Sequence, residues 1–396
     1  MNAYAYLDHA ATSPMSDGVL EAYMRALREV GNPASTHGHG QRALEALEAA
    51  RERIAAGVGC DAAELVLTGG GTESINLAVK GAFWSRQRGA DRPVVLVADG
   101  EHHATIEAVE WLRDTQGAEL VWLPLDALGR ITPAVLAEAI RECGPDRIAL
   151  VSFLWANNEI GTLQPVAELC AVARAAGVPT HVDAVAALGQ ARIDVAAVGA
   201  DYLSVSAHKI GGPVGVGALV VGRRVTLEPL FHGGSQQRGR SGTQDVAGAV
   251  AFAAALDEVL EPGGSAPLGA HVSHLTALRD RIIAGVQRVD RTAVLRGPHE
   301  SEARLAGNAH FTFPGCQGDS LVYLLDAGGV SVSVGSACRA GVAETSHVLL
   351  ALGLPEEEAA GALRFTLGGA SEAREIDALL AALPDVLDRA RAAGLS

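Results

Sequence analysis

The chain has 396 residues and a formal net charge of −15, with 48 % hydrophobic and 19 % charged residues. This length and composition allow a large core and two domains, and they exclude an intrinsically disordered protein. The acidic balance, without a cluster of basic and aromatic residues, argues against nucleic acid as a partner.

The first segment, MNAYAYLDHAATSPM, lacks the basic and apolar stretches of a secretory signal, and no apolar window is long enough to span a membrane. The cysteines are odd in number, scattered and without a C-x-x-C pair. This pattern favours a reducing compartment over a disulfide framework or a zinc site. We therefore expect a cytoplasmic protein that binds neither metal nor membrane. The cysteines are Cys60, Cys143, Cys170, Cys316 and Cys338.

Short β-branched runs alternate with alanine-rich helical stretches between about residues 60 and 225. Helical patterns such as ESINLAVKGAFWSRQRG and VAELCAVARAAG separate the runs. Strands joined in this way predict a mostly parallel sheet that is buried on both faces. The strand candidates are ELVLTG, PVVLVA, IALVSFLW, VPTHVD, DYLSVS and GALVVG.

The organisation changes after the long helical segment TQDVAGAVAFAAALDEVL, which ends at the Pro/Gly-rich EPGGSAP. Beyond this break come a helix, the strand NAHFTF, the helix GDSLVYLLDAGG and the strand VSVS. We predict an α/β large domain at residues 15–260. A smaller α+β domain is expected to combine residues 1–14 and 261–396.

Polar residues follow several predicted strands, where ligands of open α/β sheets bind. Thr72 follows three glycines, a pattern that suits a phosphate, and His102, Asn157 and Asp183 follow later strands. Each also has a simpler interpretation. Thr72 and Asn157 would cap turns, His102 would be a structural histidine, and Asp183 would cap a helix.

Lys209 gives these residues a common chemistry. It lies in SVSAHKIGGP, and only Lys80 and Lys209 among the 31 basic residues are lysines. An amine can form a Schiff base, whereas a guanidinium cannot. A lysine, an acid, a ring-stacking group and a phosphate-binding turn at successive strand ends together predict a pyridoxal phosphate site.

Ten motifs along the chain resemble, in the same order, those of the cysteine desulfurases that supply iron–sulfur assembly and share the class V aminotransferase fold. This resemblance runs from end to end. It implies the fold of type I pyridoxal phosphate enzymes, a homodimer, L-cysteine as substrate, and a sulfur-acceptor or iron–sulfur scaffold protein as partner. The motifs are YLDHAATSPM, GNPASTHGHG, GGGTESINLAVKG, EHHATIEAV, NNEIGT, HVDAVAALG, SVSAHKIGGPVGVGAL, HGGSQQRGRSGTQD, GSACRAGVAETSHVLLALGL and RFTLG.

The resemblance implies a role for each matching residue. Lys209 would hold the cofactor as a Schiff base, Asp183 would pair with its pyridine nitrogen, and His102 would stack on the ring as a candidate proton carrier. Asn157 would contact the ring oxygen, and Asn32 and Arg364 would bind the substrate carboxylate. The residues that would bind the phosphate are Gly71, Thr72, Ser206, His208 and the other subunit's Thr243.

Cys338 lies in the small-residue loop VGSACRAGVAET, before the helical SHVLLALG. In the family, a cysteine at this place takes the substrate's sulfur as a persulfide and leaves alanine. The neighbouring Arg339 would favour the thiolate. We expect the other four cysteines to be buried structural residues.

Three positions depart from the family pattern. Ala186 stands where a glutamine would meet the ring oxygen, Val334 replaces a usually small polar residue, and Arg339 replaces a small or neutral one. The missing amide at residue 186 predicts a changed pKa of the Schiff base and leaves the preferred substrate open.

Two alternatives to L-cysteine desulfuration therefore stand beside it. One is a pyridoxal phosphate-dependent lyase that acts on a cysteine conjugate or selenocysteine, with Cys338 dispensable. The other is a non-catalytic scaffold, against which the set of Lys209, Asp183, His102 and Arg364 argues, because a scaffold needs no such lysine.

Overall fold

The computed structural model describes residues 4–335 and 345–394 of the chain. Its strands and helices are numbered separately in chain order. The strands are β1 Ala5–Tyr6, β2 Leu65–Thr68, β3 Val94–Ala98, β4 Glu119–Leu123, β5 Ile148–Leu154, β6 Thr180–Asp183, β7 Tyr202–Ser206, β8 Gly217–Val221, β9 Val294–Leu295, β10 Asn308–Thr312, β11 Val330–Ser331 and β12 Ala362–Thr366. The helices are α1 Asp17–Leu27, α2 Gly38–Val58, α3 Gly71–Arg86, α4 His103–Gln116, α5 Pro133–Cys143, α6 Val166–Ala175, α7 Val195–Val198, α8 Val246–Val259, α9 Gly269–Val289, α10 Gly318–Ala327, α11 His347–Ala351, α12 Glu356–Ala359 and α13 Ala373–Gly394.

A seven-stranded sheet in the order β2-β8-β7-β6-β5-β3-β4 forms the centre of the molecule. All neighbouring pairs are parallel except the two that involve β8, which confirms the predicted mostly parallel sheet. The six strands predicted for this region are present. The edge strand β4 was not predicted, although its sequence ELVWL is apolar after Glu119; of its five residues only Leu123 is buried.

Helices cover both faces of this sheet, as its alternating side chains require. Leu65 and Leu67 of β2 join an apolar cluster with residues of α2, α6 and α8. Val66, between them, joins a second cluster with residues of α3 and α4. The strands are therefore buried on both sides, which leaves their ends as the places where polar side chains can gather.

A third apolar cluster surrounds smaller sheets formed mainly by the C-terminal part of the chain. The antiparallel strands β12-β10-β9 pack with α9, α10 and α13, and β1 pairs in parallel with β11. The N-terminal residues thus contact this part, as the sequence analysis expects. The domain boundaries themselves stay a prediction. Within residues 4–335 and 345–394, no helix combines the length and apolarity needed to cross a membrane.

Candidate active site

A cavity of about 410 Å³ lies at the carboxyl ends of the parallel strands. It brings together many of the residues that the sequence analysis selected from distant motifs. Those that line it are Gly71, Thr72, His102, Asp183, His208, Lys209 and Arg364.

The turn after β2 forms one end of the cavity. Gly70 has φ 130°, a conformation that side chains disfavour, and α3 begins at Gly71. A Cβ on Gly217 would lie 2.7 Å from the Gly70 Cα, so the turn also needs close backbone approach. Gly70 is the N-cap of α3 and provides no side-chain hydrogen bond to the helix, and Thr72 is the second residue of that helix. The alternative of a turn capped by Thr72 is therefore wrong, and the helix N-terminus can receive an anion.

Asp183 ends β6 and lies buried in the cavity wall. Its Oδ1 accepts a hydrogen bond from the Val185 N–H at 2.9 Å. Burial raises the pKa of Asp183 to about 6, and this hydrogen bond and the charge of Lys209 act in the opposite direction. The carboxyl therefore needs a positive partner to stay fully ionised at neutral pH.

His102 caps the N-terminus of α4. Its Nδ1 accepts a hydrogen bond from the Ala104 N–H at 3.1 Å, so the neutral ring carries its proton on Nε2. Burial, and next the charge of Lys209, lower the pKa of His102 to about 4. The cavity is thus lined by an uncharged, oriented imidazole.

Lys209 lies in the short 3₁₀ helix Ala207–Ile210 that follows β7. Its Nζ donates hydrogen bonds to the carbonyl oxygens of Ala10 and Ala11, the second at 3.2 Å. Burial, and next the charge of Arg364, lower the pKa of Lys209 to about 8, while Asp183 acts in the opposite direction. About a tenth of this amine would therefore be uncharged at pH 7, far more than for an ordinary lysine.

Arg364 on β12 brings a buried cation to the other side of the cavity. Its Nη1 donates to the Asn158 carbonyl oxygen at 2.9 Å, and its Nη2 donates to Asp8 Oδ1 at 3.0 Å. The Nε atom is buried and has no hydrogen-bond partner among the described residues. This unused donor is suited to an incoming carboxylate.

Four other predicted site residues do not line this cavity. The buried Ser206 lies beside it, because a Cβ on Gly71 would be 3.7 Å from the Ser206 Cβ. Asn157 is engaged in a turn, where its Oδ1 accepts from the N–H groups of Glu159 and Ile160. Asn32 and Thr243 are exposed, and Thr243 lines a separate cavity of about 100 Å³. Their roles stay predictions.

Cys338 and Arg339 lie outside the described residues. Val334 and Ala186 are within them, and Ala186 lines the large cavity with its methyl group. The four described cysteines form no disulfide. Two of them, Cys170 and Cys316, are buried as expected, while Cys60 and Cys143 are only half-buried.

Several residues of the site have no role predicted from the sequence. Asp8 binds Arg364, and Glu159 lines the cavity fully buried, with its Oε2 accepting a hydrogen bond from Ser346 Oγ. His347 also lines the cavity and contacts the carbonyl oxygen of Glu101 through Nε2 at 2.8 Å. Asp8 and Glu159 belong to the motifs YLDHAATSPM and NNEIGT. These motifs indicated segments near the site, but they gave no role to either residue.

Lys80, the second lysine, lies in α3 and is half-buried. Its Nζ lies 4.4 Å from the ring centroid of Trp111, and burial lowers its pKa. The long side chain crosses apolar surface and ends on the aromatic face, a favourable place for a cation. Lys80 does not line the large cavity.

The residues of the cavity fit pyridoxal phosphate. A helix N-terminus is available for the phosphate, and a buried carboxyl, an uncharged imidazole and a half-buried amine with lowered pKa share one space. No group of His, Cys, Asp or Glu within residues 4–335 and 345–394 is arranged to hold a metal ion.

Comparisons with known proteins agree with this chemistry. The chain is 46 % identical to the IscS-like cysteine desulfurase of Mycobacterium tuberculosis, over 99 % of this chain and 98 % of that protein. A solved NifS-like protein matches with a TM-score of 0.86 at 31 % identity, over 98 % of this chain and all of the other. The structure named SspA in complex with cysteine matches with a TM-score of 0.76 at 30 % identity, over 93 % of this chain and all of the other. Residues 5–379 match the family model for class V aminotransferases, and the chain belongs to that family.

Proposed function

We propose that this protein is a pyridoxal phosphate-dependent cysteine desulfurase that converts L-cysteine to L-alanine and carries the sulfur on Cys338. One observation carries the proposal. The half-buried amine of Lys209, which suits cofactor attachment, shares a cavity with the guanidinium of Arg364, which suits a substrate carboxylate. The relatives named cysteine desulfurase match nearly the full length of this chain.

The cofactor supplies an electron sink that stabilises negative charge at the substrate's α-carbon. Lys209 would hold it, and Asp183 would face its ring nitrogen. A protonated ring nitrogen there would hold the Asp183 carboxyl ionised against the effect of its burial. His102 would stack on the ring and move a proton at Nε2. Gly71 and Thr72 at the start of α3, together with Ser206 and His208, would hold the phosphate, and Asn157 would lie near the ring oxygen.

The substrate's carboxylate binds Arg364, with Asn32 as a second contact. The buried Nε of Arg364, unpartnered within the described part of the chain, supports this role. Support for L-cysteine as the substrate comes from the similar protein SspA, whose solved structure is a complex with cysteine.

Sulfur removal needs a nucleophile that forms a bond to sulfur. As the Cys338 thiolate forms an S–S bond, the substrate's carbon–sulfur bond breaks and its electron pair stays on carbon, which takes up a proton to become alanine. Burial raises the pKa of Cys60 to about 12 and that of Cys170 to about 11, and it also raises the pKa of Cys143 and Cys316. None of these four thiols is a ready thiolate, which favours Cys338 as the carrier.

The assembly we propose is a homodimer in the cytoplasm, in which Thr243 reaches the phosphate of the other subunit. The exposure of Thr243 is compatible with such a contact. The sulfur of the persulfide then passes to a sulfur-acceptor or iron–sulfur scaffold protein.

The large domain of residues 15–260 would hold the cofactor, and residues 1–14 and 261–396 would form the smaller domain. Sedimentation should give a dimer, and an active monomer would contradict the shared site.

Product analysis tests the proposed function. The holoenzyme should form one alanine per cysteine consumed, with a matching amount of sulfide when a reducing thiol is present. Selenocysteine and S-substituted cysteines serve as comparison substrates. If a conjugate is preferred and the carbon product is pyruvate, the protein is a lyase and not a desulfurase.

A further inference from the structure

Asp8 lies directly behind the cation that receives the substrate. Its Oδ1 accepts from Arg364 Nη2 at 3.0 Å, and the side chains of Arg364 and Asp8 are only 5 % and 20 % exposed. Asp8 does not itself line the cavity, so it acts on ligands through Arg364 and through its charge.

The backbone around Asp8 is well supported. The Asp8 carbonyl oxygen accepts from the Tyr6 hydroxyl at 3.1 Å, and the Ala10 N–H donates to Thr366 Oγ1 at 2.8 Å. Asp8 also forms an isolated parallel bridge with Thr366. Because these contacts do not involve the Asp8 carboxyl, a change of that group should leave the segment in place.

The charges that the described residues place around the cavity occur in pairs. Among these residues, Arg364 and Lys209 are the cations that line it, and Asp183 and Asp8 are carboxyl groups beside them; Asp8 also favours the charged form of Lys209. The carboxyl groups of Glu101 and Glu159 are fully buried, and burial raises the pKa of each. A simple anion bound at Arg364 would therefore add an uncompensated negative charge next to Asp8.

A zwitterion bound at Arg364 interacts differently with the charge of Asp8. Its ammonium group offsets the repulsion between Asp8 and its own carboxylate, whereas an acid without an amino group has no such compensation. We propose that Asp8 is a positioning residue that makes Arg364 discriminate by ligand charge, favouring zwitterionic α-amino acids over carboxylic acids that lack the amino group. This inference rests on the proposed role of Arg364 in binding the substrate carboxylate.

Propionate and L-alanine form a matched pair of probes, because they share a carbon skeleton and differ in the ammonium group. Their inhibition constants should be measured against L-cysteine turnover by the holoenzyme, and propionate binding should also be measured by calorimetry on the apoprotein. In Asp8→Asn, propionate should bind about tenfold more tightly, while the constant for L-alanine should change much less. Asp8→Glu keeps the charge and should restore the discrimination.

Asp126→Asn is the control, because Asp126 also pairs with an arginine, Arg130 at 3.1 Å, but outside the cavity. If Asp8→Asn is poorly folded, Asp8→Ser tests the same loss of charge. An unchanged ratio of the two constants in a folded neutral variant would overturn the proposal. Alanine formation from L-cysteine by the wild-type protein is measured separately. A failure of the proposed function can therefore be distinguished from a failure of the role proposed for Asp8.

Discussion

Asp183 ends β6 and Lys209 follows the adjacent parallel strand β7, and in the shared cavity each favours the charged form of the other. Burial favours the neutral form of both groups. Their pairing keeps an acid and an amine, both with pKa values close to neutrality, at the point where a cofactor needs them.

Lys209→Arg should keep the positive charge but abolish covalent attachment of the cofactor, because a guanidinium does not form the bond. Borohydride reduction of the wild-type holoenzyme, followed by peptide mapping, should place the pyridoxyl group on Lys209. Lys80→Arg is the control and should leave labelling intact. A label on Lys80, whose amine lies over Trp111, would contradict the assignment.

Cofactor attachment to the apoprotein should become faster as the pH rises. Burial lowers the pKa of Lys209 to about 8, and only the uncharged amine is a nucleophile. Below that pH the attachment rate should fall about tenfold per pH unit, and above it the rate should level off. Rapid mixing with pyridoxal phosphate at fixed ionic strength measures this profile. A rate still rising at pH 10 would indicate an ordinary exposed lysine.

Asp183→Asn should still attach the cofactor but turn over slowly. The amide keeps the shape and the contact to Val185, yet it offers no negative charge to hold the ring nitrogen protonated. Alanine production should fall by about two to three orders of magnitude, which is typical for loss of a preorganised electrostatic group. Absorbance spectroscopy confirms loading, and near wild-type turnover of the loaded variant would exclude Asp183 from this role.

Ala186→Gln tests the departure from the family pattern at a residue that lines the cavity. The added amide should donate to the ring oxygen and shift the spectral pKa of the bound cofactor, without affecting the amount bound. A single hydrogen bond of this kind is worth about 0.5–1.5 kcal/mol, so the shift should be modest. An unchanged titration would mean that residue 186 does not reach the ring oxygen.

The sequence predicted those parts of the site that depend on neighbouring residues in the chain. Asp183 and Lys209 each follow a buried β-branched run, and such runs predict parallel strands whose ends meet. A lysine at such a strand end, in a chain with few lysines, could then be predicted to attach the cofactor. The family resemblance supplied the roles of Arg364 and Cys338, which spacing alone does not.

Other features depend on contacts between distant parts of the chain. Asp8 and Arg364 are 356 residues apart, and Glu159 and Ser346 are 187 apart, so no local pattern links them. The turn after β2 was predicted, but its N-cap is Gly70 rather than Thr72, and β8 approaches this turn closely at Gly217. The strand β4 was missed although its sequence ELVWL is apolar after Glu119, and it lies at the edge of the sheet with one buried residue.

The central claim is that Cys338 carries the sulfur, and mass spectrometry of the protein after brief exposure to L-cysteine tests it most directly. The account predicts one added sulfur atom on the peptide that contains Cys338 and none on those of the other four cysteines. Cys338→Ser should load the cofactor fully, form no persulfide and release almost no sulfide. Full turnover by Cys338→Ser, or the added sulfur on a different cysteine, would contradict the account.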